Sequence, residues 1–261
     1  MIDELIVRSW TDGDHVGVVE LCRPPDNFFS VAMVAGVADA LEAFDADDEV
    51  RAIVFAAQGK HFSAGADFTA AASGSETGSV VDTTEQLYAA AVRLFRTRKP
   101  IVVAVQGAAV GGGLGLALAA DFRIAAPQAR FSANFARLGF HQGFGLSVTL
   151  PRVVGQQAAA ELLYTGRRVS GEEAVSLGLA DRLAPLDGLR QAAMAFAAEI
   201  AASAPLAVES IRITLRGDLA DRVAAATVHE AAEQARLRAT ADFAEGTRAM
   251  VERRPPDFRR T

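Results

Sequence analysis

Only one cysteine occurs in the 261 residues, Cys22. A lone thiol excludes an internal disulfide framework, and its place in an apolar strand pattern marks it as core filler. Positive charge is scarce as well. The 26 Lys and Arg against 32 Asp and Glu leave a net charge of −6, and the arginines are dispersed, so nucleic acid is not an expected partner. His15, His61, His141 and His229 show no ligand spacing, and no metal is expected. The opening Met1-Ile-Asp-Glu-Leu5 is acidic where a secretory leader is basic and then apolar, which points to a cytoplasmic protein. What the chain has in quantity is apolar surface: 51% hydrophobic residues can bury one large core.

The stretch from Lys99 to Ala126 organises the rest. β-Branched residues from Ile101 to Val105 give way to Gly111-Gly-Gly113, and these to an Ala/Leu segment ahead of Asp121, so the order reads strand, tight turn, helix N-terminus. Such a turn offers bare N–H donors at the positive end of a helix, to which glycine allows close approach. That is the chemistry of an anion or oxyanion site, although glycines serving only close packing would leave the same trace. Ile101 to Ala120 is also about long enough to span a bilayer, but its glycines and Asp121 fit a buried strand–helix pair better, and no membrane is expected. Neither a G-x-G-x-x-G nor a phosphate loop fits: the former would need Gly at Leu116, the latter Lys at Gly113.

Along the chain, Leu5 to Trp10 and Val16 to Cys22 read as a hairpin, Ser30 as the cap of a helix to about Phe44, and Arg51 to Ala56 as a buried strand. His61-Phe-Ser-Ala-Gly-Ala-Asp67 is a second small-residue turn, placed after its strand as the glycines are after theirs. Ala70 to Thr84 is too poor in large apolar residues to bury much surface, and a flap or loop is expected there, then a helix from about Thr84 to Arg96. Asp121 to Ala126 and Arg130 to Ala133 read as strands, Asn134 as the cap of a short turn before Gly139. Helices follow, one opened by the capping box Ser170-Gly-Glu-Glu173. Residues 1–200 are expected to form an α/β core and 201–261 a helical region.

Phe62-Ser-Ala-Gly-Ala-Asp67, Lys99-Pro100, Val103-Ala-Val-Gln-Gly107, Gly111-Gly-Gly113 and Asp121, in this order, resemble the enoyl-CoA hydratase/isomerase family, the crotonases. Arg23-Pro-Pro-Asp-Asn27, Leu150-Pro-Arg-Val-Val-Gly155 and Glu252-Arg-Arg-Pro-Pro-Asp-Phe258 extend the similarity over essentially the whole chain. The resemblance implies an α/β fold, a spiral of ββα units with a C-terminal helical region that packs a homotrimer, often doubled to a hexamer. It implies an acyl-CoA thioester substrate, with coenzyme A arriving as part of it and no separate cofactor. The backbone N–H groups of Ala66 and Gly112 would form the oxyanion hole, flanked by Ala64, Gly65, Asp67 and Gly111. Arg23 and Lys60 would meet the coenzyme, and Arg253, Arg254 and Phe258 a neighbour's site.

The same resemblance marks two departures. Hydratases carry glutamates at positions that correspond here to Gly115 and Phe135, and neither residue can move a proton. His141, ten residues beyond Phe131, is the candidate replacement, since an imidazole titrates near 6.5. His61 and Glu85 are weaker candidates, and Ser147 lacks the second glycine of a nucleophile elbow. Three functions stay open: an acyl-CoA enzyme stabilising an enolate for a reaction other than standard hydration, a hydratase with unusual acid/base residues, and a non-catalytic acyl-CoA-binding relative.

Overall fold

The computed structural model describes residues 6–66 and 80–261. Strands β1 (Val7–Asp12) and β2 (Val16–Leu21) form an antiparallel pair, and β3 (Ala52–Ala57), β4 (Ile101–Val105), β6 (Phe122–Ala125) and β9 (Arg182–Leu183) extend it in parallel in the order β1-β2-β3-β4-β6-β9. The apolar run Ile-Val-Val-Ala-Val of β4 is buried at every position, as a strand covered on both faces requires. Alternate side chains serve two cores. Ile53, Phe55, Val103 and Val105 join the main core with α1 (Val31–Ala46) and α2 (Val80–Arg96), whereas Ala52, Val54, Val102 and Ala104 pack against α7 (Leu189–Ala201).

A smaller sheet, β5 (Ala108–Val110), β7 (Arg130–Ser132) and β8 (Val169–Ser170), lies beyond the glycine-rich stretch. β5 carries no alternation of its own, being three small or branched residues between two turns, and sequence reading passes over it. The run with the length of a membrane span is thus β4, β5 and the buried helix α3 (Gly112–Ala119). Among the described residues no single helix is long and apolar enough to cross a membrane. Helix α2 begins at Val80, four residues before the expected start, so the expected flap lies largely outside the described residues.

The expected caps at Ser30 and Ser170 form, accepting the N–H of Met33 and of Glu173, both at 3.2 Å. Asn134 does not cap: it opens a 3-10 turn, Asn134–Leu138, preceded by Ala133 without a side-chain cap. Helices α4 (Leu146–Val154), α5 (Gln156–Thr165) and α6 (Gly171–Ser176) precede α7, and α8 (Pro205–Arg216), α9 (Leu219–Arg238) and α10 (Ala241–Val251) follow it. The last three are tied back to the first two hundred residues. Asp121 accepts from Arg212 Nε at 2.8 Å and Arg216 Nη1 at 2.7 Å on α8, while α9 packs on α2 and α4, and α10 on the Asn134–Leu138 turn.

Candidate functional site

Ser63 brings the two small-residue turns together. Its N–H donates to Ala108 O at 2.9 Å and its carbonyl accepts from Val110 N at 3.1 Å, which lays 64–66 beside 110–112. Gly65 and Gly111 both take positive φ, +87° and +56°, where a side chain would strain the backbone. At Gly65 a Cβ would also stand 2.7 Å from Val110 O. Neighbouring donors are used: Ala64 N to Asp26 O at 2.9 Å, Gly111 N to Ser132 O at 2.9 Å. Among the described residues no acceptor takes the N–H of Ala66 or of Gly112. Gly112 opens α3, so its donor also stands at the positive end of a helix. The packing role of the glycines is equally real: a Cβ at Gly112 would stand 2.2 Å from Phe29 Cε1 and one at Gly113 2.3 Å from Ser63 O.

Both donors belong to residues on the wall of a cavity of about 520 Å³. Phe28, Phe29, Phe135, Phe140 and Phe144, with Leu87, Leu138, Val110 and Met250, make most of that wall apolar. Among the described lining residues there is no carboxylate and no histidine; the titratable groups are Arg23, Tyr88 and Arg238. Tyr88 donates to Gln234 Oε1 at 3.0 Å, Gln234 Nε2 donates to His141 O at 2.9 Å, and Arg238 donates to Thr84 Oγ1 at 3.0 Å. Burial pushes the Tyr88 phenol above its ordinary value, the Glu230 charge adds to the rise, and Arg238 opposes it. Glu230 is wholly buried and accepts from Gly145 N at 2.8 Å and Ser147 N at 3.0 Å, the N-terminal end of α4. From α9, Glu230 and Gln234 thus fix the loop that carries Phe144.

Ala64, Gly65, Ala66, Gly111, Gly112, Phe135 and Arg23 all stand on the cavity wall. Arg23 is exposed at its edge, with Nη1 donating to Phe28 O at 3.1 Å. Asp67 lies outside the described residues. Gly115 is buried, and a Cβ there would stand 2.6 Å from Phe144 Cδ1, so the phenylalanine ring fills the space a longer side chain would need. His141, the candidate for proton transfer, is not among the residues of the wall. It lies 5.7 Å from the His229 ring, with Nδ1 2.8 Å from Gln142 O, and only its main-chain carbonyl meets the Tyr88–Gln234 group.

His61 is held elsewhere. Its Nδ1 accepts from Ala108 N at 3.0 Å, and burial lowers its pKa although Asp26 opposes the shift. Lys60, Glu85 and Phe258 are exposed and off the wall, and Arg254 is paired with Glu245 and Glu252, both at 2.5 Å. Tyr88, Gln234 and Phe144 escaped sequence reading. The spacing of Thr84 and Tyr88, and of Gln234 and Arg238, places each pair on one helix face, a signal that becomes readable only when the two helices are known to meet.

A family model described as Enoyl-CoA hydratase/isomerase matches residues 11–261. A Thermus thermophilus protein provisionally named an enoyl-CoA hydratase is 39% identical over 251 residues, covering 94% of this chain and 97% of its own. The 2,3-dehydroadipyl-CoA hydratase of Escherichia coli K12 is 31% identical over 259 residues, with 99% of each chain covered. Among solved structures, the enoyl-CoA hydratase/isomerase of Pseudoalteromonas atlantica T6c superposes with a TM-score of 0.85 at 31% identity, covering 97% of this chain and 100% of that one.

Proposed function

The chain belongs to the enoyl-CoA hydratase/isomerase family, and on that premise we propose that its cavity takes an acyl-CoA thioester and stabilises the thioester enolate with the N–H groups of Ala66 and Gly112. One observation carries the reading: two backbone donors that no acceptor among the described residues takes, each following a left-handed glycine, on the wall of one apolar cavity. Negative charge develops on the thioester oxygen as the enolate forms, and fixed donors in a dry site stabilise it without reorganising. Losing one such donor typically costs about 2.7–4 kcal/mol of transition-state stabilisation. Arg23 at the cavity edge suits the coenzyme phosphates. Coenzyme A arrives with the substrate, and no resident cofactor is needed.

The reaction we propose is not the two-carboxylate hydration of the family. Gly115 and Phe135 put a packed glycine and an apolar ring where that mechanism needs acid and base. Hydration through other groups is the second reading, supported by the hydratase names of the relatives. The exposed Leu206, Ile211, Ile213 and Leu215 of α8 support a homotrimer or hexamer built through the 201–261 region.

The test pairs binding with turnover. Acetoacetyl-CoA should bind at least tenfold more tightly than an S-alkyl-CoA thioether without the carbonyl; equal affinities would remove the oxyanion reading. Hydration of crotonyl-CoA at rates common to enzymes, roughly 1–1000 per second, would overturn the inference from Gly115 and Phe135.

A further inference from the structure

We propose that Tyr88 is the proton donor to the α-carbon of the bound thioester enolate, acting beside the space that Phe144 fills over Gly115. This rests on the reading above that Ala66 and Gly112 hold the thioester oxygen.

Position supports it first. The Phe144 ring lies over Gly115, one turn along α3 from Gly112. The preceding residue, Gly143, is so close to the phenol that a Cβ there would stand 1.9 Å from Tyr88 Oη. Tyr88 Oη therefore sits at the loop that covers Gly115, on the same cavity wall as Gly112. Elimination supports it second. Among the described lining residues the other titratable groups are Arg23 and Arg238, and a guanidinium does not give up its proton in proteins.

The phenol proton points at Gln234 Oε1, and rotation about the Cζ–Oη bond alone turns it toward the cavity. In the step, the Tyr88 O–H bond breaks, the enolate electron pair forms the new α-carbon–hydrogen bond, and the thioester carbonyl is restored. Burial makes the resulting phenolate a strong base, and two cycles close through it. In exchange, the phenolate takes an α-hydrogen from a saturated thioester, the C–H pair becomes the enolate, the new O–H trades its proton with water, and the phenol returns a solvent proton to the α-carbon, so the sum is exchange of an α-hydrogen with solvent. In hydration of an unsaturated thioester, the phenolate takes a proton from water, the hydroxide so formed bonds to the β-carbon as the double-bond pair moves to give the enolate, and the phenol then protonates the α-carbon, so the sum is addition of one water molecule. The charged groups that face the phenol are Glu230, which opposes ionisation, and Arg238, which favours it, both on α9.

Exchange is the direct test, read by mass spectrometry on a saturated acyl-CoA in D₂O. For the wild type, the rate should climb with pH between about 7 and 10, because the phenolate removes the α-hydrogen. Tyr88→Phe should lower exchange at least about 100-fold and flatten the climb, with acetoacetyl-CoA affinity retained. A smaller fall, or a fall that keeps the slope, overturns the proposal and leaves Tyr88 a positioning residue for the Gln234 loop. Since the variant also loses the bond to Gln234, 3-fluorotyrosine at position 88 provides a second measurement: a more acidic phenol should move the climb to lower pH, and an unmoved profile overturns the assignment. A wild type that binds acetoacetyl-CoA without exchange refutes the Tyr88 role alone. A wild type that binds no CoA thioester refutes the reading beneath it.

Discussion

Asp121→Asn should be strongly destabilising, and its cost can be worked from the contacts. Asp121 Oδ2 accepts from Ile101 N and from Arg212 Nε, both at 2.8 Å, and Oδ1 accepts from Arg216 Nη1 at 2.7 Å. The two arginine side chains are only 7% and 12% exposed. Arg212 Nη2 and Arg216 Nε already lack an acceptor, so neither guanidinium has one in reserve. An amide keeps one acceptor and removes the charge, leaving two buried cations face to face, for which breaking a buried pair typically costs about 3–5 kcal/mol. For a chain of this size that is a fall of roughly 6–20 °C in Tm. The assay is thermal unfolding at neutral pH and fixed protein concentration, since assembly would shift Tm by mass action. Arg212→Met and Arg216→Met added to Asp121→Asn should recover part of the loss, because apolar replacement of a whole buried ion group is often neutral. The pH dependence gives a third check. Burial alone would raise the Asp121 pKa, but Arg212 and Arg216 outweigh it and hold the carboxyl below its ordinary value. Its contribution is thus complete above the unfolded value of about 4 and lost as pH falls through the folded one, and the wild type should lose its advantage over Asp121→Asn only in that acid range. A loss below about 2 °C at neutral pH, or a triple variant no better than the single, refutes the reasoning.

Gly112→Ala should drive the Phe29 ring out of place, since the new Cβ would stand 2.2 Å from its Cε1, and weaken acetoacetyl-CoA binding at least tenfold by equilibrium dialysis; Phe29→Ala in the same chain should restore most of it. Glu230→Gln keeps the shape but turns a donor toward one of the N–H groups of Gly145 or Ser147, and should cost about 1.5–3 kcal/mol in urea unfolding; no change in midpoint would mean that the carboxylate does not hold the loop. Leu206→Glu with Leu215→Glu places charge on residues that are 80% and 70% exposed, and should reduce the sedimenting mass toward one chain without lowering helix content; an unchanged mass would put the oligomer contact elsewhere.

Much of the fold is local enough to be read from the chain. The strands β2, β3 and β4 of the larger sheet announce themselves as apolar runs, whereas the exposed pair Arg182–Leu183 of β9 does not, and the caps at Ser30 and Ser170 depend on donors three residues away. The turn geometry at Gly111 and Gly112 is local too, because a positive φ and a helix start are properties of adjacent residues. The opposite wall of the cavity is not. Tyr88 and Gln234 are 146 positions apart, and Glu230 reaches Gly145 across 85, so nothing near either residue marks it as buried or paired. His141 shows the other side of this limit. Its side-chain chemistry is visible in the sequence, but the direction of the ring is set by a loop held from α9, which turns the carbonyl inward and the imidazole toward His229.

That loop also explains why position 115 is a glycine. Phe144 has φ +61°, a conformation that costs a non-glycine residue about 1–3 kcal/mol and persists only when its surroundings over-determine it. The surroundings do so from both sides: Glu230 holds the Gly145 N–H, Gln234 holds the His141 carbonyl, and the ring itself is 1% exposed against Gly115 and Phe29. A side chain at position 115 and the Phe144 ring compete for one volume, so the glycine and the strained phenylalanine are a single feature. The Phe144 ring in that volume makes this part of the cavity wall apolar, which lowers the local dielectric response. An enolate formed there depends more heavily on the two backbone donors, because in such surroundings their attraction is screened less than in water.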